Sequence, residues 1–322
     1  MNYPISNINL NNFGNNDSNS TIVSVVIPAF NCQRDLDRII NALVNSSLAE
    51  IEVIVVDDFS EKPIVIKVKD SRIKLIRNNA NLGKATSVNN GLKIAIGKYY
   101  VISDPDVEPH FDLLKRWVAV FEENHRIGVC GAYVCYPNSN KLTHAGAILS
   151  GPLRQPKRRL VNRQYEDFSS KTVVNSKLVF DDIWAVRASV WWQVGGFDDV
   201  NFDTMYEDVD IQYRISKQGY LICLVSGAKA YHHQHFDETG DILAKSWAHR
   251  VLFSYKLSKL TKNHLVFLKK TGSGKFILGL DALALLIFYG ILILHVSVSV
   301  HQKMSTLYTL LSSVRQGLRH RI

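Results

Sequence analysis

Cysteine is scarce, with four in 322 residues, and Cys32, Cys130, Cys135 and Cys223 form neither a CxxC pair nor a Cys/His set at zinc-finger spacing. This argues against a disulfide framework and a structural zinc site, and leaves four reduced, largely buried thiols as the expectation. The N-terminus lacks a basic start followed by an apolar core and a small-residue cleavage site, so the body of the protein is expected to stay in the cytosol. The basic clusters, Lys157-Arg158-Arg159 with Arg163 and the later Arg315, Arg319 and Arg321, lack the interleaved aromatics of a nucleic-acid module. No nucleic-acid partner is therefore expected. The formal charge of +9 points instead to an anionic membrane surface or an anionic substrate. Apolar runs of membrane-crossing length are also missing until residue 276.

A 46% hydrophobic content is enough for a substantial core. Residues 1–20, rich in Asn, have little to bury and read as a disordered tail. From Thr21, short β-rich apolar runs alternate with longer helical segments, the pattern of an α/β fold with a mainly parallel sheet flanked by helices. Strands are expected at 23–27, 52–56, 73–76, 99–103, 127–136, 145–149 and 221–225. Helices are expected at 35–48, from Asn81 to about Ala95, and at 111–123, 188–194 and 207–218. Residues 151–177 are basic and poorly periodic, and read as either a lid or a solvated excursion. The organisation that follows is a catalytic domain over 21–240, a helical linker over 241–275, an apolar segment over 276–300 and a basic tail over 301–322. The apolar segment carries Asp281 near one end and His295 near the other. It is expected to attach the protein to a membrane, either crossing it or lying in its plane. Lysines and arginines flank both sides, so charge bias does not set a topology.

Two acidic clusters about a hundred residues apart carry the chemistry: Asp104-Pro105-Asp106 and Glu207-Asp208-Val209-Asp210. The first closes a strand, where carboxylates at i and i+2 project to one side and can flank one hard cation, an arrangement suited to a nucleotide diphosphate held through Mg²⁺ or Mn²⁺. The second opens a helix after Gly195-Gly196-Phe197-Asp198. Asp208 and Asp210 stand about 200° apart around that axis, so only one can face a substrate. Asp57 falls at a strand's C-terminal end, where open α/β sheets bind ligands and a carboxylate can accept the imide N–H of uracil or thymine. Tyr231-His232-His233-Gln234-His235 supplies imidazoles suited to Mn²⁺, with His232 the first choice and His233 the second. Trp184 is a candidate platform for a sugar face.

In order along the chain stand Val25-Val26-Ile27-Pro28, Val55-Val56-Asp57-Asp58, Asn81-Leu82-Gly83-Lys84 with Asn89 and Gly91, Asp104-Pro105-Asp106, Gly195-Gly196-Phe197-Asp198 and Glu207-Asp208. Over roughly 24–235 this succession resembles the GT-A fold, family 2 inverting glycosyltransferases. The resemblance implies a Rossmann-like sheet with a C-terminal helical, membrane-associated extension. Pro28, Asp57, Lys84, Asn89, Asp104, Trp184 and Glu207 would contact the nucleotide sugar, Asp106 with His232 would hold a Mg²⁺ or Mn²⁺ ion, and Asp208 would be the base. The donor would be a UDP- or dTDP-sugar, and the acceptor a glycan or lipid-linked hydroxyl at the cytoplasmic face of a membrane, in surface glycan or polysaccharide synthesis. The Gln-x-x-Arg-Trp motif of processive synthases is absent, which favours addition of one sugar. A sugar nucleotidyltransferase and a catalytically inactive, membrane-held glycan-binding protein are the alternatives.

Overall fold

The runs Val23–Ala29 (β1) and Ile51–Asp57 (β2) are buried at every position, as inner strands of a sheet covered on both faces must be. The computed structural model describes residues 21–150, 155–165, 173–179, 182–233, 255–295 and 298–320. The expected tail at 1–20, residues 241–254 of the expected linker, and Gln234 and His235 lie outside these.

The remaining strands are β3 (Ile73–Arg77), β4 (Tyr99–Ser103), β5 (Val107–Pro109), β6 (Ile127–Cys135), β7 (Leu142–Ala145), β8 (Ala147–Ser150), β9 (Gln155–Arg158), β10 (Val173–Ser176), β11 (Ile183–Arg187) and β12 (Leu221–His232). The helices are α1 (Gln33–Val44), α2 (Lys84–Lys93), α3 (Leu113–Glu123), α4 (Ala188–Gln193), α5 (Glu207–Lys217), α6 (Tyr255–Lys270), α7 (Lys275–His295) and α8 (Val300–Arg319). The main sheet runs β10-β12-β6-β11-β4-β1-β2-β3, with β5 on β12 and β7 on β6. Strands β3, β2, β1 and β4 are mutually parallel. β11 enters antiparallel between β4 and β6, and β12 runs parallel to β6. The C-terminal ends of β1, β2, β4, β6 and β12 therefore share one edge, together with the start of β11.

Each face of this sheet has its own core. Leu36, Ile39 and Ile40 of α1 and Leu114, Trp117 and Phe121 of α3 cover one face. Val88 and Leu92 of α2, Val190 and Trp191 of α4, and Ile211 and Ile215 of α5 cover the other. Gly91 explains how closely α2 approaches: a Cβ there would lie 2.6 Å from a Val26 methyl and 3.0 Å from one of Val56.

Three stretches differ from the sequence expectation. Residues 151–177 contain β9, which pairs with β8 in a two-stranded sheet, and the edge strand β10. Lys157 and Arg158 of β9 are exposed, and charged, exposed strand residues carry no apolar alternation. The strand expected to end at Val225 continues to His232, past a register shift between Leu224 and Lys229 that contains Gly227 at φ +78°. Residues 301–319 of the stretch expected as a basic tail lie in α8, opened by a capping box between Ser299 and Gln302.

The chain divides into two compact units, one of residues 1–198 and 208–234, the other of 199–207 and 235–322. In the second, α6, α7 and α8 share a core of Leu257, Leu265, Ala282, Leu285, Tyr289, Ile293, Leu310 and Val314. The excursion 199–207 belongs to it. Asn263 donates to the carbonyls of Thr204 (2.8 Å) and Met205 (3.0 Å), Tyr206 Oη meets His264 Nδ1 at 2.8 Å, and Lys259 pairs with Asp203. Met205 and Tyr206 both hold left-handed backbone, at φ +60° and +74°, a conformation these contacts must maintain. Burial pushes the His264 imidazole down to about 4, so it is neutral near pH 7.

Candidate active site

The shared edge gathers the acidic residues because a parallel sheet delivers the end of every strand to one side. The β4 ladder ends at Ser103, and the Asp104 amide donates to the Asp182 carbonyl at 2.8 Å, just before β11. The Asp104 carboxylate takes the Lys84 ammonium at 2.6 Å. Two residues on, Asp106 Oδ2 lies 3.2 Å from His232 Nε2, and the Asp106 carbonyl accepts from the His233 amide at 2.8 Å. Adjacent strand residues point to opposite sides, which separates the two histidines. His232 turns to Asp106, whereas His233 Nε2 meets Glu108 at 2.8 Å, beside a cavity of about 360 Å³ that Tyr231 and Asn138 also line.

Sequence reasoning missed two residues behind His232. Asp182 Oδ2 is 3.1 Å from His232 Nδ1 and 2.5 Å from His144 Nε2, with Asp182 and His144 both buried. Burial alone would lower the His232 pKa, but Asp106 and Asp182 outweigh it and push it up to about 10. Burial would raise that of Asp182, but the two imidazoles hold it well below the usual carboxylate range. The signal available in the sequence was weak: an Asp before a strand and a His within another.

Asp208 reaches the same edge by helix geometry. It shares a stripe with Ile211 and Ile215, three and seven residues on, which pack into the sheet-facing core. Leu221, shortly after α5, bonds the Arg126 carbonyl at the opposite edge, where β6 and β12 begin. Helix α5 thus runs antiparallel to those strands, and Asp208 at its start stands beside their C-terminal ends. Asp208 is buried. Asp210 pairs with Arg214 at 2.7 Å, and Arg214 also donates to the carbonyl of Gly196 at 2.8 Å and to that of Val194. Asp210 thereby holds the arginine that ties α5 to the turn at Val194 and Gly196. Glu207, the first residue of α5, is fully buried.

Other candidates have tasks of their own. Asp58 accepts from the amides of Leu82 (2.9 Å) and Gly83 (2.8 Å) and from Asn78 (2.8 Å), which shapes the turn before Lys84. Asp57 stands at the end of β2, where its carboxylate accepts from the amides of Ser60 and Ile64 and pairs with Arg77. Burial opposes ionisation there, and these bonds outweigh it and lower the Asp57 pKa. Pro28 is buried within β1. Asn89 donates to the Phe197 carbonyl at 2.9 Å and accepts its amide at 3.1 Å. Asn89, expected at the nucleotide, ties the Gly195–Phe197 turn, where Gly196 takes φ +71°. The sugar platform is corrected. Trp184 is 0% exposed, packed with Trp191 and Phe197 at ring separations of 6.3 and 6.2 Å, and no sugar reaches its face.

Among the described residues no group of three or more His, Cys, Asp or Glu side chains is arranged to hold a metal ion. The pair Asp106–His232 fits two positions of one cation's shell. Donors about 2.1 Å from a common ion at right angles stand roughly 3 Å apart, close to the separation seen. Diphosphate oxygens and water would complete the shell.

Residues 24–184, half the chain, match the profile of glycosyl transferase family 2. Among curated proteins the chain is 38% identical over 88 residues to UDP-Glc:alpha-D-GlcNAc-diphosphoundecaprenol beta-1,3-glucosyltransferase WfaP of Escherichia coli, covering 26% of this chain and 35% of that protein. It is 26% identical over 204 residues to the putative glycosyltransferase EpsE of Bacillus subtilis, covering 62% and 68%. The first three curated relatives are matched over 38%, 35% and 48% of their own lengths. Among solved structures, GalNAc-T7 with UDP, GalNAc and Mn²⁺ superposes with TM-score 0.60 at 17% identity, over 79% of this chain and 48% of that one. Mannosyltransferase PcManGT of Pyrobaculum calidifontis with GDP-Man and Mn²⁺ gives 0.51 at 17%, over 95% and 77%. The architecture is a GT-A sheet with its helices. The chain belongs to glycosyl transferase family 2.

Proposed function

We propose that this chain transfers one sugar from a nucleoside diphosphate sugar to an acceptor hydroxyl, with inversion. The observation that carries the reading is the grouping of Asp104–Lys84 and Asp106–His232 at the sheet edge to which α5 also delivers Asp208. Asp208 takes the acceptor's hydroxyl proton as its oxygen attacks the anomeric carbon. The bond from that carbon to the diphosphate breaks, its electron pair leaving with the nucleotide. A single displacement inverts the centre. Lys84 stands where it can meet the growing negative charge on the diphosphate. A divalent cation held by Asp106 and His232 would neutralise that charge further. Asp57, at the end of β2, would meet a uracil or thymine imide only by exchanging one of its bonds to Ser60, Ile64 and Arg77.

Two relatives named as UDP-Glc transferases acting on an undecaprenol-linked acceptor make UDP-glucose the first donor to test. The full chain, incubated with UDP-, dTDP- and GDP-sugars in Mn²⁺ and again in EDTA, should release nucleoside diphosphate from one donor in Mn²⁺ alone. Pyrophosphate exchange without diphosphate release would instead establish a nucleotidyltransferase. No turnover and no thermal shift with any donor would leave only a glycan-binding role.

A lipid-linked acceptor agrees with the second unit. Helix α7 has 21 residues and a mean hydropathy of 2.5, with a third of it buried. Ala282, Leu285, Tyr289 and Ile293 face the shared core and Leu278 is also buried, while Phe276, Leu280, Leu283, Ile287, Ile291 and Leu294 face out. Its packing side is bound to α6 and α8, which carry Lys259, Lys262, Lys303 and Arg315. Crossing a bilayer would drag such charges into hydrocarbon. The helix therefore lies in the plane of the membrane, its outer face among acyl chains and the nearby lysines at anionic headgroups. In flotation assays the protein should rise with phosphatidylglycerol-containing vesicles, bind pure phosphatidylcholine weakly, and come off in alkaline carbonate. Resistance to carbonate would show a spanning helix, and no flotation with either vesicle would end the membrane reading.

A further inference from the structure

We propose that Asp182, backed by His144, is the positioning residue of the cation site, setting which nitrogen of His232 offers a lone pair. This rests on the cation reading above, and concerns residues to which neither the motifs nor the comparisons gave a role.

The imidazole of His232 lies between two carboxylates, with Nε2 3.2 Å from Asp106 and Nδ1 3.1 Å from Asp182. A cation entering between Nε2 and Asp106 displaces the second ring proton that the two carboxylates otherwise retain, and the neutral ring then carries one N–H, its other nitrogen being the donor to the metal. Asp182 has Oδ2 within hydrogen-bond reach of Nδ1 and is an acceptor only, so it favours the proton on that nitrogen. Nε2 is then left with its lone pair directed at Asp106, where the ion belongs. The two ring nitrogens point away from each other, so Asp182 cannot join the same ion and acts through His232 alone.

Asp182 is well held for this work. It is 3% exposed, its carbonyl accepts the Asp104 amide at 2.8 Å, and the same Oδ2 meets His144 Nε2 at 2.5 Å. His144 is itself 1% exposed, on β7. The main-chain bond ties the position of Asp182 to the turn that carries Asp106. The contact from His144 fixes the orientation of the carboxylate. A carboxylate behind a metal-ligating imidazole fixes the ring's tautomer and raises its basicity, and its loss lowers metal affinity about 10–100-fold.

The test compares Mn²⁺ binding by the wild-type chain, Asp182→Asn, Asp182→Glu and His144→Gln, each with UDP, by the EPR signal of free Mn²⁺. Asp182→Asn should weaken Mn²⁺ about 10–100-fold with folding intact by circular dichroism. Asp182→Glu should recover part of the loss, and His144→Gln should show a smaller one. Wild-type affinity in Asp182→Asn would overturn the proposal and leave the function standing. No Mn²⁺ binding by wild type would remove the cation reading and this proposal with it. A measurement without variants covers the case of misfolding: ¹⁵N-histidine NMR of the Mg²⁺- and UDP-loaded wild type should show His232 with its proton on Nδ1. A proton on Nε2 would overturn the assignment.

Discussion

Asp208→Asn should lower turnover by roughly 10²–10⁴-fold while leaving the melting temperature and donor binding in place, because the amide keeps the carboxylate's shape but cannot take a proton. The geometry makes this a sharp comparison. Asp208 lies on the α5 stripe that faces the sheet, whereas Asp210, two residues on, is engaged by Arg214, which also holds the Gly196 carbonyl. Asp210→Asn should therefore act through stability and not through the pH dependence of turnover. Product formation from one donor, measured with a thermal melt of each variant, separates the two. Transfer at the wild-type rate by Asp208→Asn would remove the general base from the scheme and reopen the nucleotidyltransferase alternative, which has no use for a base on this helix.

Trp184→Ala should cost about 3–5 kcal/mol, the range for emptying a buried tryptophan site. The side chain is fully buried on β11, whose neighbours are Ile102 of β4 and Gly131 of β6. It packs with Trp191 and Phe197, and Phe197 is also the residue that Asn89 holds. At roughly 2–4 °C per kcal/mol for a domain of this size, the melting temperature should fall on the order of 10 °C. A sugar platform would behave oppositely, raising the KM for donor with little change in melting. Calorimetry on Trp184→Ala distinguishes these outcomes directly.

The contrast between Asp106 and Trp184 shows where sequence reading reaches and where it stops. Asp104 and Asp106 follow an apolar run at a period of two, so their delivery to a strand end follows from local pattern. Asp208 likewise needs only the helical period. Trp184 depends on which face of β11 meets which core, and that is set by the register of an antiparallel strand inserted between β4 and β6. No short-range signal encodes that insertion. The pairing of Asp182 with His144 and His232 is hidden for the same reason, since it joins residues 38 and 50 positions apart. Helix α8 was obscured differently: its arginines dominate the composition, while the buried spacing of Thr306, Leu310, Ser313 and Gly317 is partly polar.

The junction at residues 207 and 208 bears on how this molecule can be taken apart. The nine residues that precede Asp208 are counted with the C-terminal helices, not with the sheet they interrupt. A cut near residue 235 therefore strips Thr204, Met205 and Tyr206 of Asn263 and His264, although nothing upstream has been deleted. Any hybrid built by exchanging tails among such proteins inherits this mismatch unless the 199–207 excursion travels with the helices that hold it.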